Sequence, residues 1–362
     1  MAARWKLSPP MNSNRARLAV DAMGGDFGPS VVVPGALQAA RNTGAKVLLV
    51  GIEEEIRKVL AELKAEDGEG ELYEVVNATQ VIEMTDKPSE VVRSKRDSSM
   101  HVACKLVRQG EADAFISAGN SGVAYACGMF IIGRIPGVER PALASVMPTE
   151  KSPMLLLDVG ANAECRPHHL FQFAIMGSAF VKDILGYEEP RVAILSNGEE
   201  EGKGNPLVKE SYDLLKQASQ LNFIGNAEGS DLFTGDVDVA VCDGFVGNVA
   251  LKLSEGLAKS ITNLLKRELK SNGIMPKLGA MLSMPAFKSF KKVVDYAEYG
   301  GAPLLGLKGI AIVCHGKSNA KAITSALTMA NSYIAKGTQE RLVEAISANE
   351  ELSNYALSLE LS

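Results

Sequence analysis

Seven short apolar runs limit what this chain can fold into. They are RLAVDAM from Arg17, KVLLVG from Lys46, ADAFISAG from Ala112, MLLLDVG from Met154, RVAILSNG from Arg191, VDVAVCDG from Val237 and GIAIVCHG from Gly309. Their apolar character is continuous rather than alternating, the pattern of strands buried on both faces. Turn residues bound each run, and helical stretches such as SVVVPGALQAARN and HHLFQFAIMGSAFVKDILG lie between them. That order predicts βα units, a mainly parallel sheet and an α/β/α sandwich. With 362 residues and 46% hydrophobic content, a large core is available. The expected layout is a disordered leader over 1–15, one large α/β domain over 16–335 from which a helical hairpin at 255–295 protrudes, and a C-terminal helix and tail over 336–362.

The runs exit into DAMGGD, SAGNSG, DVGAN, SNGEEEGKGN, CDGFVGN and CHGKSN. Each joins glycine to Asn, Asp, Ser or Lys, residues that form turns in any case. In open α/β sheets, however, ligands bind beyond the carboxyl ends of the strands, where helix starts offer free N–H groups to anions. The expectation is a crevice at one sheet edge that accepts an anion. The loop around Lys203 looks at first like a nucleotide P-loop. Gly198 and Gly202 enclose only three glutamates, and Gly204 stands where the pattern needs Ser or Thr. ATP is a poor fit. A lysine between glycines can still approach a smaller anion, and the competing reading is a solvated acidic turn before a helix.

Several classes are excluded. A net charge of −5 argues against general nucleic-acid binding. The five cysteines are scattered without a C-x-x-C pair, so neither zinc nor a disulfide framework is indicated, and a reducing cytoplasm is the simplest home. The basic N-terminal stretch lacks the apolar core of a signal peptide, and no run reaches the length of a bilayer span. G-x-S-x-G, H-E-x-x-H and a G-x-G-x-x-G after the first strand are missing. Of the four histidines, His101 reads as a helix packing or surface residue, and His168 and His169 as helix first-turn residues. His315 lies at a strand exit, where a phosphate-binding or a purely structural role fits equally.

Six segments, VDAMGGDFGP, SAGNSGV, LLLDVGAN, EEEGKGN, CDGFVGNV and CHGKSNA, resemble the signature segments of the phosphate acyltransferase (PlsX) family. The resemblance runs from about Arg17 to Ala335, with Glu164 departing from the Asp commoner at that place. It implies an isopropylmalate-dehydrogenase-like α/β/α fold, a homodimer and no cofactor. It also implies conversion of fatty acyl-[acyl carrier protein] and inorganic phosphate into acyl phosphate. That product feeds the first acylation of glycerol 3-phosphate in phospholipid synthesis, with the downstream glycerol-3-phosphate acyltransferase as a partner.

Phosphate near neutrality is largely its own nucleophile, so the demand on the protein is electrostatic. Lys203 is expected to bind phosphate or neutralise the tetrahedral intermediate. Asn248 is expected to donate to the carbonyl oxygen, an N-cap being its other reading. Gly24, Gly25, Asn120, Ser121, Asn162 and His315 are candidate substrate contacts. Asp21, Asp158 and Asp243 would repel phosphate and are expected to orient Lys203 or cap loop backbone, with a Mg²⁺ site as the competing explanation. Direct attack is preferred to an acyl-enzyme on Cys242 or Ser121. In the 255–295 stretch, Met275, Leu278 and Leu282 beside lysines describe either a surface that lies on an anionic membrane or a packed dimer hairpin. Lys266, Arg267 and Lys270 suit an acidic carrier protein or form a solvated face. The expected location is cytoplasmic with peripheral membrane contact. A nicotinamide-dependent 2-hydroxy-acid dehydrogenase on the same fold and a non-catalytic lipid-pathway scaffold are the alternatives.

Overall fold

A computed structural model describes residues 15–65, 71–271, 275, 279, 281–287, 290 and 300–354. The expected leader up to residue 14, much of the expected hairpin (Leu278 included), the Lys270 side chain and the last eight residues lie outside the described residues. The strands are β1 Arg17–Asp21, β2 Lys46–Gly51, β3 Tyr73–Asn77, β4 Ala114–Ser117, β5 Ala142–Met147, β6 Met154–Leu157, β7 Arg191–Leu195, β8 Asn222–Ala227, β9 Val239–Val241, β10 Ala302–Leu305 and β11 Ile310–Val313. The helices are α1 Pro29–Thr43, α2 Glu53–Glu62, α3 Pro88–Ser94, α4 Ser99–Gln109, α5 Ser121–Cys127, α6 Pro167–Phe180, α7 Pro206–Gln217, α8 Gly244–Ser271, α9 Ala320–Ala335 and α10 Thr338–Ala348. All seven apolar runs form strands.

One sheet holds the strands in the order β3-β2-β1-β4-β11-β10-β5-β6-β9-β7-β8. Residues alternate between its faces. Leu18, Val20, Ile116, Leu155 and Ile194 enter the cluster that α1, α6, α9 and α10 cover. Ala19, Phe115 and Val313 face α4 and α5, while Leu156, Ala193 and Ala240 face the start of α8. This is the expected α/β/α sandwich. Helix α10 belongs to it, because its Leu342 and Ile346 are buried in the first cluster.

The expectation of a single site-bearing edge needs correction. Strands β3 to β11 form one parallel block and β6 to β8 another. Two antiparallel strands join the blocks, β10 against β11 and β5, and β5 against β6. The blocks therefore run in opposite directions, and their carboxyl ends would lie on opposite edges of a flat rectangle. The register prevents this. Val313, ending β11, pairs with Ala302, whereas Leu157, ending β6, pairs with Ala144. Leu143 is level with Leu304, so Ala144 is level with Pro303, one residue from Ala302. The two sets of strand ends thus meet at a step in the sheet.

Candidate active site

At that step lies a cleft of about 380 Å³. The first block contributes Asp26, Gly119, Ser121, His315, Gly316 and Lys317, and the second contributes Val159, Asn248 and Leu251, with Leu143 from the seam strand β5. Close approach of backbone holds the first three loops together. A Cβ on Gly24 would lie 2.7 Å from an Asp21 carboxylate oxygen and 2.8 Å from the Gly119 nitrogen. Gly25 has φ 87°, and its Cβ would lie 3.0 Å from the Gly316 carbonyl. Both positions require glycine, and their role is to let the loops meet.

The aspartates order the loops. Asp21 is buried and accepts from the Ser99 and Ser117 hydroxyls at 2.6 and 2.7 Å; burial raises its pKa against those hydrogen bonds. Asp158 is fully buried and accepts from the backbone N–H groups of Leu143, Gly160, Ala161 and Asn162 and from the Asn162 amide. Burial raises its pKa as well. Asp243 caps α8, accepting from the N–H groups of Phe245 and Val246. Both oxygens of Asp21 and Asp158 and one oxygen of Asp243 are directed at protein donors, which fits capping better than a Mg²⁺ site.

Three candidate asparagines divide in the same way. Asn120 caps α5 through Val123 and donates to the carbonyls of Met84 and Asp86. Asn162 accepts from the Tyr125 hydroxyl at 2.9 Å and donates to Pro141. Both amides are engaged in structure and are corrected from substrate contacts to loop anchors. Asn248 is exposed and lines the cleft, and its side chain makes no hydrogen bond among the described residues. It lies in the second turn of α8, so its amide is free to donate. His315 lines the same cleft, and its Nδ1 accepts from the Lys317 N–H at 3.1 Å. A neutral ring with that bond carries its proton on Nε2, available for an oxygen acceptor.

Lys203 stands elsewhere. Its loop lines a second hollow of about 330 Å³ with Asn197, Gly204, Asn205, Asp243 and Val246. Val246 and Asn248 are two residues apart on one helix, roughly 200° around its axis, so the two hollows flank α8. The Lys203 side chain is 54% exposed, its ammonium 3.9 Å from Glu200, and its stem crosses Gly198, where a Cβ would meet it at 2.8 Å. The expectation that Lys203 and Asn248 share one hollow is therefore not met in this structure: Lys203 itself lines neither, and its ion-pair partner is Glu200 of its own loop. Cys242 is buried and its thiol is pushed far up by that burial, which removes it as a nucleophile.

Among the described residues one cluster has the composition of a metal site: Glu139, His168 and His169. His169 Nε2 is buried without a close partner, 3.5 Å from Glu139. Its Nδ1, however, accepts from the Arg166 N–H at 2.9 Å, which leaves the proton on Nε2. A metal-bound imidazole needs the opposite arrangement, so these residues do not fit a metal. Burial, with His168 beside it, pulls the His169 pKa down to about 4, against about 6.5 for a free imidazole. Between those values the unfolded chain binds a proton that the folded one excludes, so stability falls as pH drops through that window. His169→Gln is expected to flatten the dependence. Thermal melts at pH 7 and 5 would show a larger fall in Tm for the wild type, and equal falls would exclude the neutral buried ring.

A family model described as fatty acid synthesis protein matches residues 16–341. A protein named phosphate acyltransferase from Nitratidesulfovibrio vulgaris is 64% identical over 342 residues, covering 94% of this chain and 98% of the relative. A phosphotransacetylase from Streptococcus pyogenes has a similar structure, with a TM-score of 0.62 at 17% identity over 88% of this chain and 94% of the other. A Salmonella typhimurium protein described as a 4-hydroxythreonine-4-phosphate dehydrogenase gives 0.51 at 13% identity over 88% and 99%. At those identities the two structures speak for the fold alone. Since an acyl-transferring enzyme and a dehydrogenase share it, fold does not choose the chemistry.

Proposed function

Since the chain belongs to the phosphate acyltransferase family, we propose that it transfers a fatty acyl group from the thioester of an acyl carrier protein to inorganic phosphate. A phosphate oxygen attacks the thioester carbon, the C–S bond breaks, and acyl phosphate and the carrier thiol leave. The observation that carries this reading is the free Asn248 amide lining one cleft together with His315 and Lys317. Asn248 supplies a hydrogen bond to the developing oxyanion, and the other two receive the phosphate. The dehydrogenase alternative lacks its cofactor turn, because β1 leads into DAMGGD.

In the same reading Lys203, beside Glu200 in this structure, swings past the start of α8 to reach the anion held by His315 and Lys317, with Gly202 and Gly204 (φ 95° and 94°) giving its loop backbone freedom. Purified protein given an acyl carrier protein thioester and millimolar phosphate is expected to release free thiol and a hydroxylamine-reactive acyl phosphate. Lys203→Ala in this assay is expected to lose at least about tenfold, the scale of a charge-assisted contact to a phosphate. An unchanged rate would leave Lys203 as a solvated turn residue. Absence of thiol release by the wild type would remove the whole reading.

Helix α8 extends the proposal to partners. Val249, Leu253, Leu257, Ile261 and Leu265 recur every four residues and are exposed, Leu253 at 70%. Such a stripe suits a second copy of the chain. Beyond it Met275 and Leu282 are each 80% exposed. With Lys266 and Arg267 nearby in sequence, they suit an acidic carrier protein or an anionic membrane surface in the cytoplasm. No helix among the described residues is long and apolar enough to cross a membrane, so contact would be peripheral, beside the glycerol-3-phosphate acyltransferase that consumes the product.

A further inference from the structure

The cleft has two chemically unlike walls. Its first-block wall consists of loop tips, with Gly119, Ser121, His315 and Lys317 presenting backbone, hydroxyl, imidazole and ammonium. The opposite side carries an aliphatic patch of Leu143 from β5, Val159 from the loop after β6 and Leu251 from α8, beside Asn248 and Ser145, while Met84 is an apolar residue among the loop tips. Leu143 and Leu251 pack against the buried cluster that contains Val159 and Met147, so this wall is the open edge of a hydrophobic core. Asn248 and Leu251 are one helical turn apart and face the cleft together. Lys252 and Glu255 continue the stripe and pair with each other at 3.2 Å. Lys317 has no ion-pair partner among the described residues. Asp26 also stands on the polar wall and weakens its hold on an anion, an effect that Lys317 offsets.

A substrate that is part dianion and part alkyl chain can satisfy both walls in one orientation only. Resting on the acyltransferase reading, we propose that Leu143, Val159 and Leu251 form the acyl-chain subsite, that Leu251 sets chain-length preference, and that phosphate is received opposite by His315 and Lys317. The thioester carbon then lies between the walls, beside Asn248. Val159 is nearly buried, whereas Leu251 is half-buried on a helix face, so Leu251 is the position where side-chain size changes the space without rebuilding the core.

Acyl phosphate formation from octanoyl and hexadecanoyl carrier thioesters tests this. Leu251→Phe is expected to lower the hexadecanoyl-to-octanoyl ratio of kcat/KM by about tenfold, the scale of a small change in an apolar pocket, with KM for phosphate unchanged. Leu251→Ala, which tests the idea independently of any folding defect in the first variant, is expected to move the ratio the other way. Lys317→Gln is expected to raise KM for phosphate about tenfold, as loss of a charge-assisted contact would, with the chain-length ratio unmoved. A ratio that stays fixed in both Leu251 variants would overturn the subsite, as would a Lys317 variant that alters the ratio but not KM. A wild type that forms no acyl phosphate from either thioester would instead refute the underlying reaction, and that is seen before any variant is compared.

Discussion

Asn248→Ala is expected to lower kcat for acyl phosphate formation by about 10²- to 10³-fold, the range for removal of one oxyanion donor, with Tm almost unchanged. The two halves of that expectation come from the same fact. Asn248 is exposed and its side chain makes no hydrogen bond among the described residues, so truncating it orphans no buried partner. What disappears is a donor required only when charge builds on the carbonyl oxygen, so kcat and kcat/KM should fall together. Asn248→Asp separates this from a loss of shape. It preserves the outline but replaces a donor with a negative charge, so its loss should equal or exceed that of alanine. Steady-state kinetics with a melting curve on each variant decide the matter. An alanine variant with a third of wild-type kcat would show that the amide plays no part.

Much of the fold was legible because burial on both faces leaves a continuous apolar run. Strands β1, β2, β4, β6, β7, β9 and β11 all carry that mark. The four missed strands lack it for two reasons. Strands β3 and β8 lie at the sheet edges with partly exposed faces, so their apolar residues are interrupted. Strands β5 and β10 form the antiparallel seam, and β10 is four residues long with Pro303 inside it. The seam makes the cleft by setting the two blocks in register, so the element least visible in sequence is the one that decides where the site lies.

The site was legible in part for a related reason. A polar residue after a buried strand can be placed at a strand exit, yet the turn decides whether its side chain points inward or outward. Asp158 and Asn162 point inward and bind their own loop, while Asn248, equally suited to a cap, points into the cleft because Asp243 already caps α8. Lys203 and Asn248 both follow strand ends and look alike in sequence; that the Lys203 loop and Asn248 line different hollows, on two sides of α8, is a fact of three dimensions. Lys317 and Leu251 drew no notice, since a lysine in a turn and a leucine in a helix carry no local signal. The turn of α8 and the meeting of the strand-end loops at the cleft give them a place.

Gly247→Ala is expected to be the most disruptive glycine-to-alanine change among the described residues, and its effect should fall on activity and stability together. A Cβ at Gly247 would lie 1.9 Å from the Asp158 carbonyl oxygen and 2.9 Å from the Cys242 sulfur. The first contact is with backbone, and Asp158 is fixed by the hydrogen bonds its carboxylate accepts, so neither side can yield locally. Alanine's better helix propensity, worth up to about 1 kcal/mol over glycine, cannot offset overpacking at roughly 3 kcal/mol or more. Helix α8 must move away from the loop after β6, taking the neighbouring Asn248 out of the cleft. The expected result is a Tm lower by several degrees and a kcat loss approaching that of Asn248→Ala. Gly256→Ala is the matched control. It lies nine residues further along the same exposed helix, where a Cβ meets nothing within 4 Å, and should raise stability slightly and leave kcat alone. If Gly247→Ala melts and turns over like Gly256→Ala, α8 is not seated on Asp158, and the position of Asn248 in the cleft fails with it.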